Sequence, residues 1–241
     1  MFWRLRVLLF YFIITIATTL CLLMLLISNA IGLSYDNKYL VVKIYSHIFI
    51  WLTKIICGIE YQVLGLEKLP KTPAVFMGNH QSFWENVFVN IIVPKHSWII
   101  KKELFNIPIF GLGLKIMEPV AVDRTEHASV KKILTEGQKK LNNGLWIVIF
   151  PESTRLRPNE YKKFKPSGVK LAMEAKAPIV LMAHNAGLYW PKGFWIKKPG
   201  LITVEILSVL MPEDIEEKDV RQVTDQVEKV INTAKDLLSV E

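Results

Sequence analysis

The sequence predicts an α/β domain, a sheet flanked by helices, preceded by a pair of membrane-associated helices. Three observations carry that prediction: short apolar runs alternate with helically periodic segments after Tyr61, two long apolar stretches fill the N-terminal part, and 51% of the 241 residues are hydrophobic. The last leaves no compositional case for disorder. We expect residues 1–59 to anchor the chain and residues 60–241 to form one folded domain, because a second compact domain would be a tight fit to this length.

After Arg4 and Arg6 no residue is charged until Asp36, and residues 7–27 are almost wholly apolar, longer than the roughly 20 residues that cross a bilayer as a helix. A cleaved signal peptide is the alternative, since Ser28-Asn29-Ala30 has a small-x-small form. The apolar run, however, exceeds the usual h-region of about 7–15 residues. Residues 40–59 are interrupted by Lys43, His47 and Lys54 and carry Tyr45, Phe49 and Trp51, the composition of a helix lying at headgroup level. The two arginines favour a cytosolic N-terminus, so a single crossing would export the remaining chain, whereas a hairpin keeps it cytosolic; we expect the hairpin.

Net charge of +8 and a pI near 9.3 suit an anionic partner, and the apolar N-terminus directs that choice to lipid rather than nucleic acid. Cys21 and Cys57 lie in the apolar runs and read as buried thiols; neither their number nor their spacing suggests a disulfide framework or a metal site. No G-x-G-x-x-G, P-loop, H-E-x-x-H or G-x-S-x-G pattern is present, which weighs against a dinucleotide enzyme, an NTPase, a zinc protease and a serine hydrolase.

Within the domain, strands are expected at 61–66, 74–77, 145–150, 178–182 and 201–210. Apolar stripes at Val130, Ile133, Leu134, Gly137 and Leu141, and again from Val220 to Leu238, mark core-facing helices.

At the junction between the run ending at Met77 and a helical pattern beginning at Phe83 stands Gly78-Asn79-His80-Gln81-Ser82-Phe83-Trp84-Glu85. Imidazole takes and returns a proton near neutral pH, and a carboxylate can fix its tautomer and stabilise the imidazolium. Glu85 reaches His80 only if His80 sits just before the helix. Ser82 to Glu85 equally fits a capping box, S-x-x-E.

Phe150-Pro151-Glu152-Ser153-Thr154-Arg155 follows another apolar run, where ligand crevices of α/β sheets open. The cations after it, Arg155, Arg157, Lys162, Lys163, Lys165 and Lys170, make either a solvated basic loop or a phosphate cradle. Lys101 opens a block running to Gly111, and Asp123-Arg124 follows an apolar run. Tyr189, Trp190, Phe194 and Trp195, mixed with lysines, suit a lipid interface or partial burial.

Taken in order, these blocks resemble the glycerolipid acyltransferase family, in particular its 1-acyl-sn-glycerol-3-phosphate acyltransferases. Asn79 to Glu85 looks like the family's N-H-x-S-x-x-D block, Lys101 to Gly111 with Arg124 like its second, Phe150 to Arg155 like F-P-E-G-T-R, and Ala177 to Val180 like the start of its fourth. The resemblance runs from about Tyr61 to Leu210. Three residues depart from the pattern: Glu85 for aspartate, Ser153 for glycine and Leu181 for proline. Serine at 153 is tolerated unless the backbone there needs positive φ.

The resemblance implies a single acyltransferase domain with a mixed sheet flanked by helices, and direct acyl transfer from acyl-CoA or acyl carrier protein to the sn-2 hydroxyl of lysophosphatidic acid, giving phosphatidic acid. His80 is then the base and Glu85 its support. Glu152, Ser153, Thr154 and Arg155 form the glycerol-phosphate site, Arg124 and Lys101 add positive charge, and Asn79 helps order the reacting groups. No metal or cofactor is implied. The expected partners are membrane lipid, lysophosphatidic acid and the thioester donor, with the site facing the cytosol, at the inner membrane if the source is bacterial. Rivals are another lysophospholipid or glycerol 3-phosphate as acceptor, a catalytically silent lipid-binding protein, and a metal hydrolase, for which no second histidine stands at ligand spacing.

Overall fold

A computed structural model describes residues 2–123, 128–195 and 197–239. It opens with an antiparallel pair, α1 (Phe2–Ala30) and α2 (Tyr35–Cys57), both long and apolar enough to cross a membrane. Gly32, at φ 70°, turns the chain between them, and the Ser34 hydroxyl accepts the Asn37 N–H to start α2. The hydroxyls of Thr18 and Tyr45 meet at 3.0 Å across the pair.

The remaining elements are β1 (Ile59–Leu64), β2 (Val75–Gly78), α3 (Trp84–Ile92), β3 (His96–Lys101), α4 (Phe110–Met117), β4 (Val120–Val122) and α5 (Ala128–Asn142). They continue with β5 (Trp146–Ile149), α6 (Ser167–Ala175), β6 (Ile179–His184), α7 (Ala186–Tyr189), β7 (Gly200–Leu210), α8 (Pro212–Ile215) and α9 (Val220–Leu237). The strands form one seven-stranded sheet in the order β1-β7-β6-β2-β5-β3-β4. Neighbours run parallel except β6 and β7, so the sheet is mixed, as expected.

Interior parallel strands must bury both faces, and alternating residues divide the core accordingly. Phe76, Val148, Val180 and Met182 point to the side of α1, α2 and α3, where Phe10, Phe49, Leu52, Trp84 and Phe88 complete one cluster. Val75, Met77, Ile147, Ile149, Ile179 and Leu181 point the other way, onto Ile133, Leu171, Val223, Val227 and Ile231 of α5, α6 and α9. One face of the N-terminal pair is therefore part of the domain's own core, while the other face is bare. Cys57 is buried as expected; Cys21 is only partly so.

The sequence expectations need corrections at four strands, of which β1 starts two residues early, at Ile59, and ends at Leu64 instead of 66. β3 and β4 lie outside the expected strands: His96 and Ser97 break the apolar run of β3, yet both are buried. β6 extends past 182 to His184.

Candidate active site

The central strands β6, β2 and β5 run in one direction, so the segments that follow them gather at a single edge of the sheet. After β2, Asn79 is fully buried and its amide is committed to β6: Oδ1 accepts the His184 N–H at 3.0 Å and Nδ2 donates to the His184 carbonyl at 2.9 Å. His80 follows, and α3 begins at Trp84.

The His80 ring lies flat against Phe150, with centroids 4.3 Å apart and planes 2° from parallel. Its Nδ1 is 2.8 Å from Glu85 Oε1. That oxygen also accepts the N–H groups of Gln81 at 3.0 Å and Ser82 at 2.8 Å. Burial works against the charge on Glu85, but the hydrogen bonds it accepts from His80 and from the Ser82 N–H outweigh it and hold the carboxyl below its usual range. With Nδ1–H donated to a carboxylate, the imidazole lone pair sits on Nε2. The His80 side chain keeps 17% of its surface exposed, against 1% for Glu85. A partly exposed imidazole backed by a buried carboxylate is an arrangement able to take a proton from an entering hydroxyl.

The segment after β5 folds over the main chain of His80. The His80 N–H donates to Glu152 Oε2 at 3.0 Å and its carbonyl accepts the Leu156 N–H at 2.8 Å. Glu152 is buried, and burial pushes its pKa up to about 8. Ser153 sits at φ 62°, the left-handed conformation that glycine would adopt without strain.

Thr154 and Arg155 are exposed. Arg155 lines a cleft of about 860 Å³ with Arg157, Pro158, Glu160, Leu188 and Lys192, where Glu160 accepts the Arg157 N–H at 3.0 Å. Lys101 stands at the same edge, at the end of β3, but its ammonium is 2.9 Å from Glu103. Arg124 lies outside the described residues. The structure thus brings Asn79, His80, Glu85 and Glu152 into direct contact or through one residue, with Ser153 to Arg155 on the loop around them and Lys101 further off. Among the described residues no three His, Cys, Asp or Glu side chains gather to hold a metal.

Sequence reasoning passed over His184, which the structure places beside Asn79. It also passed over Gln81, whose Oε1 accepts the Gly187 N–H at 3.2 Å. The signal was present: Ala183-His184-Asn185-Ala186-Gly187 follows an apolar run just as the other two blocks do.

The acyltransferase family profile matches residues 60–185. The chain is 41% identical over 167 residues to a 1-acyl-sn-glycerol-3-phosphate acyltransferase of Pseudomonas aeruginosa, a match covering 69% of this chain and 65% of that protein. It is 26% identical over 231 residues to the Saccharomyces cerevisiae protein of the same description, covering 92% and 72%. The matched segment spans just under two thirds of the Pseudomonas relative's length. The crystal structure of the 1-acyl-sn-glycerophosphate acyltransferase PlsC from Thermotoga maritima superposes with a TM-score of 0.81, covering 98% of this chain and 96% of that one at 22% identity, a likeness of fold that includes the N-terminal helices. With the profile spanning more than half of the sequence, including every described residue of the pair and of the loop around it, the chain belongs to the acyltransferase family.

Proposed function

We propose that this chain transfers a fatty acyl group from acyl-CoA or acyl carrier protein to the sn-2 hydroxyl of lysophosphatidic acid. The observation that carries this reading is the Glu85–His80 contact at 2.8 Å on an imidazole that keeps part of its surface exposed. Nε2 of His80 takes the hydroxyl proton as the oxygen attacks the thioester carbonyl carbon. The tetrahedral intermediate collapses, the C–S bond breaks, and the imidazolium returns its proton to the departing thiolate. Glu85 stabilises the imidazolium between those steps. No covalent acyl-enzyme is needed.

Arg155 supplies the phosphate contact at the mouth of its cleft, since a planar guanidinium matches two phosphate oxygens. Glu152 holds the His80 main chain and shapes the loop that carries Arg155. Asn79 serves the site from beneath, as its buried amide leaves no polar atom free for substrate.

Membrane attachment rests on the bare outer face of residues 1–59, inserted as a non-crossing hairpin with the site on the cytosolic side. The exposed pair Phe194 and Trp195 extends that face. Phe194 stacks on Tyr11 of α1 at 4.0 Å, and the buried Lys197 donates to the Tyr11 hydroxyl at 2.7 Å. The lipid-facing aromatics are thereby fixed to the helix that enters first.

The test is acyl transfer by the purified chain in mixed micelles, with lysophosphatidic acid, other lysophospholipids and glycerol 3-phosphate as acceptors and both thioesters as donors. Preference for lysophosphatidic acid, abolished by His80→Ala, is the expected result. Equal rates with acceptors lacking a phosphate monoester would overturn the acceptor assignment, and full activity in His80→Ala would overturn the mechanism.

A further inference from the structure

The peptide group joining Asn79 to His80 is held at both of its ends. Its N–H, which belongs to His80, donates to Glu152 Oε2 at 3.0 Å. Its C=O, which belongs to Asn79, accepts the Nε2–H of His184 at 2.8 Å. The His184 ring is completely buried, and its Nδ1 accepts the Ala186 N–H at 3.2 Å. A carbonyl on one nitrogen and an N–H on the other leave one consistent state, neutral imidazole with its proton on Nε2. Burial also pushes the His184 pKa down.

The side chain of Asn79 already ties the two strand ends together through the His184 backbone. The imidazole adds a different constraint, because it bonds the peptide that leads into the His80 Cα.

We propose that His184 is a positioning residue for His80, its Nε2–H and the Glu152 carboxyl oxygen together fixing the peptide plane from which the base is presented. The proposal rests on the reading of His80 as the base. A general base must lie within hydrogen-bond reach of the proton it removes, and a displacement of about 1 Å costs on the order of 100-fold in rate. Releasing one end of the peptide therefore acts on turnover. Acceptor binding, which the Arg155 cleft supplies, is left alone.

Two isosteres separate this role from ordinary core packing. Glutamine at 184 places an amide N–H near the position of Nε2, keeping the bond to Asn79 and losing the acceptor for Ala186. Asparagine places a carbonyl near the position of Nδ1, keeping the Ala186 bond and losing Asn79. His184→Asn is expected to lower kcat about 10- to 100-fold with KM for lysophosphatidic acid within about twofold of wild type, and His184→Gln to retain most of kcat. Equal loss in both variants, tracking thermal stability, would overturn the proposal, as would full kcat in His184→Asn. His80→Ala is assayed alongside: activity there removes the base itself, whereas an inactive His80→Ala beside a fully active His184→Asn removes only the clasp. If neither 184 variant folds, ¹⁵N-histidine spectra of the wild-type chain decide. A histidine locked in the Nε2–H tautomer, with a hydrogen-bond coupling to the Asn79 carbonyl carbon, supports the proposal, and its absence overturns it.

Discussion

Oε1 of Glu85 lies 2.8 Å from Nδ1 of His80 and is the same atom that accepts the N–H groups of Gln81 and Ser82. One oxygen of the S-x-x-E glutamate thus meets the imidazole and the backbone at once. The glutamate half of a capping box is made, while the Ser82 hydroxyl accepts from Trp84 N at 3.1 Å instead of from Glu85 N.

Glu85→Gln separates those roles. The amide oxygen still accepts the backbone N–H groups, so stability should fall by only about 1 kcal/mol. The negative charge that supports the imidazolium is lost, and kcat should fall about 10²- to 10⁴-fold. Chemical denaturation and single-turnover kinetics on the same preparation check this, and a large stability loss with near-normal kcat would return the residue to a purely structural role.

Ser153 occupies φ 62°. A β-carbon in that region costs about 1–2 kcal/mol, of which glycine's extra unfolded-state entropy returns part. Ser153→Gly should therefore raise stability by about 0.5–1 kcal/mol with turnover unchanged, as read by thermal unfolding.

The raised pKa of Glu152 has a defined sign. A carboxyl lifted from 4.5 to about 8 on folding favours the native state in its protonated form. Its contribution is fully present below the unfolded value and is lost as pH rises through about 8. Wild-type stability should fall across that window, and Glu152→Gln, which keeps an acceptor for the His80 N–H, should flatten the slope. Parallel slopes in the two proteins would show that the carboxyl is not buried in its neutral form.

Arg155→Lys and Lys162→Ala test recognition against mere charge. Both side chains are exposed, but only Arg155 lines the cleft. If the guanidinium grips phosphate through paired N–H groups, lysine should weaken acceptor KM or kcat/KM about tenfold or more, while Lys162→Ala changes little. A diffuse basic surface gives the reverse order, with the loss in Lys162→Ala growing as salt is lowered. Acceptor titrations at two ionic strengths distinguish the outcomes.

The central strands β2, β5 and β6 were legible because strands buried on both faces read as unbroken apolar runs, whereas His96 and Ser97 interrupt the run of β3; the blocks at 79–85 and 150–155 were legible because each follows such a run. His184 was hidden by its partner's distance: its bonds go to Asn79, 105 residues earlier. Only the observed register of β2 against β6 brings the two together. Lys101 was legible as a cation near the site but not as one held by Glu103, because Lys-Lys-Glu gives no indication of which ammonium the acid takes. In α1 the two faces could not be told apart, since the core and a bilayer both select apolar side chains.

Phe10 and Phe12 of α1 turn that last ambiguity into a measurement. Phe10 is fully buried, edge-on to Phe49 at 5.6 Å and to Trp190 at 5.4 Å, whereas Phe12 is 67% exposed on the bare face. Phe10→Ala should open a cavity in the core that α1 shares with the sheet and cost about 3–5 kcal/mol. Phe12→Ser removes an aromatic ring from the surface assigned to lipid. It should leave stability within about 0.5 kcal/mol and weaken partition into vesicles by the apolar area lost, about 2 kcal/mol or some thirtyfold. The pair also predicts the behaviour of a chain beginning at Glu60: without Phe10, Phe49, Leu52 and Ile56 it uncovers one face of the sheet, and it should aggregate instead of surviving as a soluble domain. Flotation with vesicles and calorimetry on the two point variants check the assignment, and loss of vesicle binding in Phe10→Ala with none in Phe12→Ser would put the lipid on the opposite face of the helix.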